Sequence, residues 1–207
     1  IFWIVGITNS INLIDGVDGL ASGFIILSCM TLTFVYLERA IPEAAFLAVI
    51  LSGSVLGFFI FNFPPAKIIL GDTGSLPLGL LISLITLLPL NQQFSDEIYY
   101  LIPIITLLLP ILDTTFAFYR RFLKGVSPFS GDTEHFHHRL AKLGFSPTKC
   151  ISILFILCFY LDLTALVPAF SINLIPKFIP IYFIFILLNI ILFISVLIRL
   201  EKKNSRT

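Results

Sequence analysis

Charged residues and cysteines are scarce in this sequence. Lysine, arginine, aspartate and glutamate make up 12% of the 207 residues, whereas hydrophobic residues make up 57%, which is far from the balance of a soluble domain. The three cysteines, Cys29, Cys150 and Cys158, lie singly in apolar segments without a C-x-x-C pair or a zinc spacing. We expect them to be reduced packing residues. Repeats, low-complexity tracts and a separate polar domain are also absent, so the composition indicates one multi-pass membrane bundle and gives no sign of a nucleic-acid partner.

Long apolar runs predict the membrane spans. A helix needs roughly 20 apolar residues to cross a hydrocarbon core of ~30 Å. Six such runs predict an all-α, polytopic transmembrane helix bundle with six full spans, and the first residues read as the end of an earlier span. The predicted spans are 20–37, 44–61, 76–90, 98–118, 151–170 and 178–198, after the tail at 1–11.

The start of the sequence does not read as a signal peptide. Ile1 lies within an apolar run that lacks an initiator methionine, a basic n-region and a small-residue cleavage site. We therefore expect residues 1–207 to be the C-terminal part of one membrane domain.

The basic residues predict the orientation. If the spans alternate, all 13 lysines and arginines except Arg39 and Lys177 fall on one side, which the positive-inside rule marks as cytoplasmic. The longest polar segment on that side is the histidine-containing loop 119–147. Three polar motifs lie on the same side, and because carboxylates at a membrane edge are expensive, their convergence suggests one site.

The first motif is "NSINLIDGVDG". Asn9, Asn12 and Asp15 follow at spacings of three, so they form one polar stripe on a helix. Gly16 and Gly19 would let the backbone turn and approach a ligand. The alternative is a helix end with ordinary Asn and Asp caps.

The second motif is "GDTGS", which leads directly into the next span. Asp72 stands at the N-terminal edge of that span, where a carboxylate could hold Mg²⁺ for a phosphate. The alternative is a simple N-cap.

The third motif is "EHFHHRL". His135, His137 and His138 could ligate a transition metal, act as acid or base, or donate hydrogen bonds to a diphosphate. A fourth soft ligand is absent nearby, which argues against structural zinc. We favour phosphate contact, with a solvated loop face as the alternative.

Other polar residues lie in the spans. Asp113 precedes Arg120 and Arg121 by about two helical turns, so the three can share one face. The arginines suit bidentate phosphate contact, although a positive-inside anchor is an equal alternative. Asp162 lies well inside its span, where we expect it to take hydrogen bonds from another helix without a catalytic role.

Four stretches together resemble one enzyme family: "NSINLIDGVDGLASG", "NFPPAKIILGDTGSLPLG", "PILDTTFAFYRR" and "DTEHFHHRLAKLGFS". They are similar to the signatures of the polyprenyl-phosphate N-acetylhexosamine-1-phosphate transferases and follow in that family's order from Asn9 to about Ser146. The H-F-H-H sequence resembles the bacterial branch that starts teichoic acid, O-antigen of lipopolysaccharide or other surface glycans, more than the peptidoglycan-precursor translocase.

The resemblance implies a reaction in the bacterial plasma membrane with its active site on the cytoplasmic face. Undecaprenyl phosphate would attack the β-phosphorus of a UDP-N-acetylhexosamine, commonly UDP-GlcNAc, and release UMP. Mg²⁺ is the implied cofactor, with Mn²⁺ as a substitute, and a homodimer is compatible with the family. One-step attack and a covalent enzyme intermediate both remain open.

The resemblance also implies residue roles. Asp72 would be the metal ligand and Asp15 catalytic, while Asp18 would contact the uracil. The remaining implied contacts are to the diphosphate and sugar, from Asn9, Asn12, His135, His137, His138, Arg120 and Arg121. The family's aspartate-rich motif belongs upstream of Asn9 and is not in this sequence, so we expect residues 1–207 alone to be inactive.

Two other functions compete with the transferase. A CDP-alcohol phosphotransferase would have A-R soon after the first D-G, which "DGVDGLASG" lacks. A membrane transporter or binding protein for a polyprenyl-linked or anionic substrate would carry polar residues along the bundle axis towards the outer face. Here the polar residues stop at the cytoplasmic side apart from Asp162.

Overall fold

The computed structural model describes residues 1–91, 101–127, 135–170, 184, 186–196 and 198–199, and this part contains helices and no strand. The helices are α1 (Phe2–Ile14), α2 (Leu20–Glu38), α3 (Pro42–Asn62), α4 (Gly71–Leu87), α5 (Ile102–Thr106), α6 (Leu108–Leu123), α7 (Phe136–Lys142), α8 (Pro147–Phe170) and α9 (Ile186–Val196). A 3₁₀ turn, Leu88–Asn91, follows α4.

The all-α prediction is confirmed, and the bundle is compatible with a membrane. Among the described residues, α2, α3 and α8 are long and apolar enough to cross a bilayer. Six full spans are not confirmed, because α4 and the described part of α9 are shorter. The predicted beginnings of the fourth and sixth spans, at 98 and 178, lie outside the described residues.

The fourth predicted span is interrupted. α5 and α6 meet at Leu107, where the regular helix breaks. Pro110 lacks the N–H that would donate to the carbonyl of Thr106, and its ring crowds that carbonyl, so an unbroken helix is disfavoured here. α6 then continues to Leu123, so the predicted loop 119–147 is partly helical.

Small residues let the helices of the site approach closely. α1 packs against α4 and α2 packs against α3 and α8. A Cβ on Gly79 of α4 would stand 2.7 Å from the Cα of Thr8 in α1, so only glycine permits this contact. Without a hydrophobic driving force inside a bilayer, such close packing is what holds helices together. It fixes the end of α1 beside the beginning of α4.

The predictions for the polar and sulfur-containing residues of the spans have mixed outcomes. The three cysteines are free and buried, as expected. Asp162 is only 3% exposed and faces α2. The Thr31 hydroxyl of α2 lies beside its carboxylate, so Asp162 faces another helix, as expected. A hydrogen bond of standard length and angle to that carboxylate is not present in the described structure.

Candidate active site

One amide joins the first two motifs. Nδ2 of Asn12, in the last turn of α1, donates to Oδ1 of Asp72 at 2.8 Å and to Oγ of Ser75 at 2.9 Å. Asp72 is the second residue of α4 and is exposed, while the N-cap position is Leu70. The alternative that Asp72 is a simple N-cap is therefore wrong. Its carboxylate is held from one side by α1 and remains open to a ligand on the other.

Negative charge accumulates around this contact. Asp15 follows α1 directly and is half-buried. Burial, with a smaller contribution from the charges of Asp72 and Asp18, raises the pKa of Asp15 to about 6, although the backbone N–H of Gly71 opposes the shift. Three carboxylates within electrostatic reach of one another favour a cation or a hydrogen-bond donor between them.

Asn62 ties the D-G turn to the loop before α4. Its side chain is 2% exposed, and its Oδ1 accepts from the Gly19 N–H at 3.0 Å and from the Ser22 hydroxyl at 2.6 Å. Its Nδ2 donates to the carbonyl of Ile68 at 2.9 Å. Asn62 was not singled out from the sequence, where the available signal is an amide at the end of an apolar span.

Asp18 makes a second connection between the same segments. Its Oδ2 accepts the backbone N–H of Ala66 at 3.0 Å. One oxygen of the residue predicted to contact uracil therefore already binds the protein's own backbone. Gly19 has a φ of +79°, which confirms that a glycine is needed where the chain turns from Asp18 into α2.

The third motif reaches the first through His137. A Cβ on Gly16 would overlap the imidazole of His137, so the ring lies directly on the backbone between Asp15 and Asp18. Burial, followed by the neighbouring charge of His138, lowers the pKa of His137 to about 4. Its Nε2 has no hydrogen-bond partner among the described residues. His137 is therefore neutral at pH 7.

Asp113 binds the histidine segment. Its Oδ2 lies 2.8 Å from Nδ1 of His135, and its Oδ1 accepts the backbone N–H of Phe136 at 2.8 Å. The ring of His135 is nearly parallel to that of His137, at 5.9 Å between centroids, and His137 and His138 are 4.1 Å apart. Asp113, Arg120 and Arg121 all lie in α6, about two turns apart, as predicted, but the Asp113 carboxylate is buried against the histidine segment.

Other predicted site residues lie further from these contacts. Nδ2 of Asn9 donates to the carbonyl of Val5 in its own helix at 2.8 Å. Of the polar stripe, Asn12 is the residue that bonds to Asp72. Arg120 and Arg121 lie half-buried in the last turn of α6, two turns beyond Asp113.

The donor set fits a magnesium ion that is only partly held by protein. Among the described residues, no three histidine, cysteine or acidic side chains come together as a metal site. Mg²⁺ is commonly bound by one or two carboxylates plus substrate phosphates and water, and Asp72 and Asp15 offer such oxygens.

The chain resembles known prenyl-phosphate transferases. Residues 1–89 match the family model of glycosyl transferase family 4. A probable undecaprenyl-phosphate N-acetylglucosaminyl 1-phosphate transferase of Bacillus subtilis is 42% identical over 167 residues, which are 81% of this chain and 46% of the relative.

Two other relatives are more distant. The decaprenyl-phosphate N-acetylglucosaminephosphotransferase of Mycobacterium leprae is 32% identical over 73% of this chain and 43% of its own length. The phospho-N-acetylmuramoyl-pentapeptide-transferase of Streptococcus uberis is 34% identical over 70% of this chain and 43% of its own length. The chain thus matches less than half the length of these curated relatives. The resemblance predicted from the polar motifs is confirmed: the chain matches glycosyl transferase family 4 over residues 1–89, and its curated relatives are polyprenyl-phosphate N-acetylhexosamine-1-phosphate transferases.

Proposed function

We propose that the complete protein transfers N-acetylhexosamine 1-phosphate from a UDP-sugar to undecaprenyl phosphate. An oxygen of the lipid phosphate attacks the β-phosphorus, the bond from that phosphorus to the bridging oxygen breaks, and UMP leaves with the bridging oxygen. The product is the lipid diphosphate sugar. N-acetylglucosamine is the expected sugar, since the curated names of two relatives specify it.

The hydrogen bond between Asn12 and Asp72 is the observation that carries this proposal. It places the D-G turn, which follows the end of α1, beside the GDTGS motif at the beginning of α4. His137 lies against the same D-G turn. Joining two anionic substrates requires charge neutralisation and in-line positioning above all. Carboxylates and histidines at one membrane edge supply both.

Asp72, with Asp15 beside it, would hold Mg²⁺. When bound, the ion neutralises charge on the diphosphate and on the leaving UMP. Asp15 orients the acceptor phosphate and takes any proton that remains on it, since a phosphate monoester has a second pKa near ~6. Asp18 contacts the uracil through the oxygen that Ala66 does not occupy.

The remaining residues bind phosphate and sugar. Asn12, at the end of the polar stripe of α1, contacts the diphosphate. Asn9 lies about one turn earlier in the same helix. His135, His137 and His138 form the opposite wall, where their ring nitrogens face phosphate or sugar oxygens. Arg120 and Arg121 are suited to the outer phosphates at the cytoplasmic end of α6.

The cellular setting is part of the proposal. The lysine and arginine distribution supports a site on the cytoplasmic face of a bacterial plasma membrane, where UDP-sugars are available. The reaction would start a cell-surface glycan, and a homodimer is compatible with it.

The test is UMP release by the complete reading frame expressed in membranes. A panel of UDP-sugars is assayed with and without undecaprenyl phosphate and Mg²⁺. Release that requires both lipid and metal is expected, and the panel identifies the sugar. If no UDP-sugar gives UMP while the protein is intact in the membrane, the transferase proposal fails. The alternative is then a transporter or binding protein for a polyprenyl-linked or anionic substrate.

A further inference from the structure

Asp113 connects the histidine segment to a membrane helix. It lies in α6 and is 2% exposed, and both of its oxygens are engaged, one by Nδ1 of His135 and one by the N–H of Phe136. α7 begins at Phe136 and has seven residues, too few to be stable as an isolated helix. Its N-cap residue, His135, makes no side-chain cap hydrogen bond. Asp113 therefore caps α7 from another helix.

The same contact determines which nitrogen of His135 carries the proton. An ionised carboxylate can only accept hydrogen bonds. Nδ1 must therefore be the donor, and Nε2 is left to act as an acceptor or, when protonated, as a second donor. A carboxylate behind a histidine in this way fixes both the tautomer and the ring orientation.

The orientation of the His135 ring affects that of His137, because the two rings pack together. Its ring lies nearly parallel to that of His137, with an interplanar angle of 8°. His137 rests on Gly16, between the two aspartates of the D-G turn. A change at Asp113 therefore reaches the predicted phosphate site through two imidazole rings without direct contact with substrate.

We infer that Asp113 is a positioning residue, which holds His135 in the Nδ1–H tautomer so that Nε2 faces the phosphates of the substrates. The inference rests on the proposed function for the identity of those phosphates. The tautomer and the cap are properties of the protein itself and can be measured without turnover.

Asp113→Asn separates the two roles of the carboxylate. Asparagine has nearly the same shape, and its carbonyl can still accept the Phe136 N–H, but its NH₂ group then faces Nδ1 and requires the opposite tautomer. In the complete protein we expect kcat for UMP release to fall by about 10- to 100-fold, the range for loss of a carboxylate partner of a metal-bound histidine. KM for the UDP-sugar should change little, and the pH profile of kcat should shift.

Two further variants complete the experiment. Asp113→Leu removes both bonds and should accelerate hydrogen exchange of the α7 amides, whereas Asp113→Asn should leave that exchange near wild type. Asp113→Glu, which keeps the carboxylate, should retain more activity than Asp113→Asn. Asp162→Asn is the matched control, because it makes the same chemical change at a buried carboxylate of α8 and should leave kcat unchanged.

¹⁵N spectra of histidine-labelled protein give a readout that does not depend on activity. We expect wild type to show the Nδ1–H form at His135 and Asp113→Asn to show the Nε2–H form. An unchanged tautomer, or an unchanged kcat and pH profile in an otherwise active enzyme, would overturn the inference. Absence of UMP release by wild type would instead contradict the proposed function, and the tautomer measurement would still decide the role of Asp113.

Discussion

At the scale of single residues, Gly16 shows why the D-G turn needs its first glycine. Its backbone does not have a positive φ, so its conformation suits any residue. The atoms nearest to a Cβ at this position all belong to the imidazole of His137. Gly16 is therefore needed because the His137 ring lies close to its backbone, and not because the turn requires a glycine conformation.

Gly16→Ala should displace His137 from the turn. Overpacking of this kind costs about 1–3 kcal/mol, and we expect the rate of UMP release to fall with it. The matched control is Gly53→Ala in α3, where a Cβ would meet nothing within 4 Å. Equal rates and equal thermal unfolding midpoints for the two variants would contradict the contact between Gly16 and His137.

Asn62 is predicted to be a major contributor to the stability of the site. Asn62→Leu has a similar volume but leaves the Gly19 N–H, the Ser22 hydroxyl and the Ile68 carbonyl without their present partner. Each unsatisfied buried group costs about 1–3 kcal/mol. We therefore expect a large fall in the thermal unfolding midpoint of the detergent-solubilised complete protein.

Asn9→Leu is the control for this substitution, because Asn9 is exposed and its side chain bonds, within the described structure, to the carbonyl of Val5 in its own helix. Its unfolding midpoint should stay close to that of wild type. An equal fall in the unfolding midpoint of both variants would mean that the Asn62 hydrogen bonds make no specific contribution to stability.

The lowered pKa of His137 predicts a pH dependence of stability. Its folded value of about 4 lies below the ordinary value of 6.5, so between these values the unfolded state binds the proton and the folded state does not. Stability should therefore fall as pH decreases from about 6.5 towards 4. The raised pKa of Asp15 acts in the opposite sense, so the comparison must be made against a variant.

His137→Gln isolates the histidine contribution. The unfolding midpoint of wild type should drop more than that of the variant between pH 7.5 and pH 5. Parallel pH curves for the two proteins would show that His137 does not titrate as the structure requires.

At the scale of elements, α2, α6 and α7 end in the same Schellman arrangement, with glycine at its left-handed position in α6 and α7 and alanine in α2. In α2, the N–H groups of Ala40 and Ile41 donate back to Leu37 and Tyr36. In α7, Gly144 occupies the position that Ala40 occupies in α2, with a φ of +85°, while Ala40 has a φ of +53°. This position normally takes glycine because a Cβ is strained there.

Ala40→Gly should therefore stabilise the protein by about 0.5–1 kcal/mol, since relief of the left-handed strain exceeds the added freedom of the unfolded chain. Gly144→Ala should destabilise it by about 1 kcal/mol. A Cβ at Gly144 would meet open space, so backbone strain is the cause being tested. Thermal unfolding measures both variants, and shifts of the same sign would contradict the assignment.

The sequence predicts some elements better than others. α2 and α3 agree with the apolar runs to within about two residues, because their boundaries coincide with changes in polarity. α4 begins at Gly71, before the predicted start at 76, because polar residues of the GDTGS motif form its first turn. The break at Leu107 was also missed, since the apolar run continues through it and only Pro110 marks it.

At the scale of the whole molecule, span parity indicated correctly that the three motifs meet, but not how. Parity gives the side of the membrane on which a residue lies, whereas contacts depend on helix packing and loop paths. The pairs Asp18–Ala66 and Asp113–His135 are separated by 48 and 22 residues, and local pattern does not specify them. Asn12 was predicted at the site from the polar stripe at the end of α1 and from the family resemblance, and α1 does end beside the beginning of α4.

The most direct test of the account compares Asp72→Asn with Asp162→Asn in the complete protein. Asparagine at position 72 can still accept the hydrogen bond from Asn12, so the fold should be kept while the charge is lost. We predict that lipid- and Mg²⁺-dependent UMP release falls by at least about 100-fold in Asp72→Asn and stays near wild type in Asp162→Asn. A wild-type rate in folded Asp72→Asn would contradict the claim that the joined motifs form the active site.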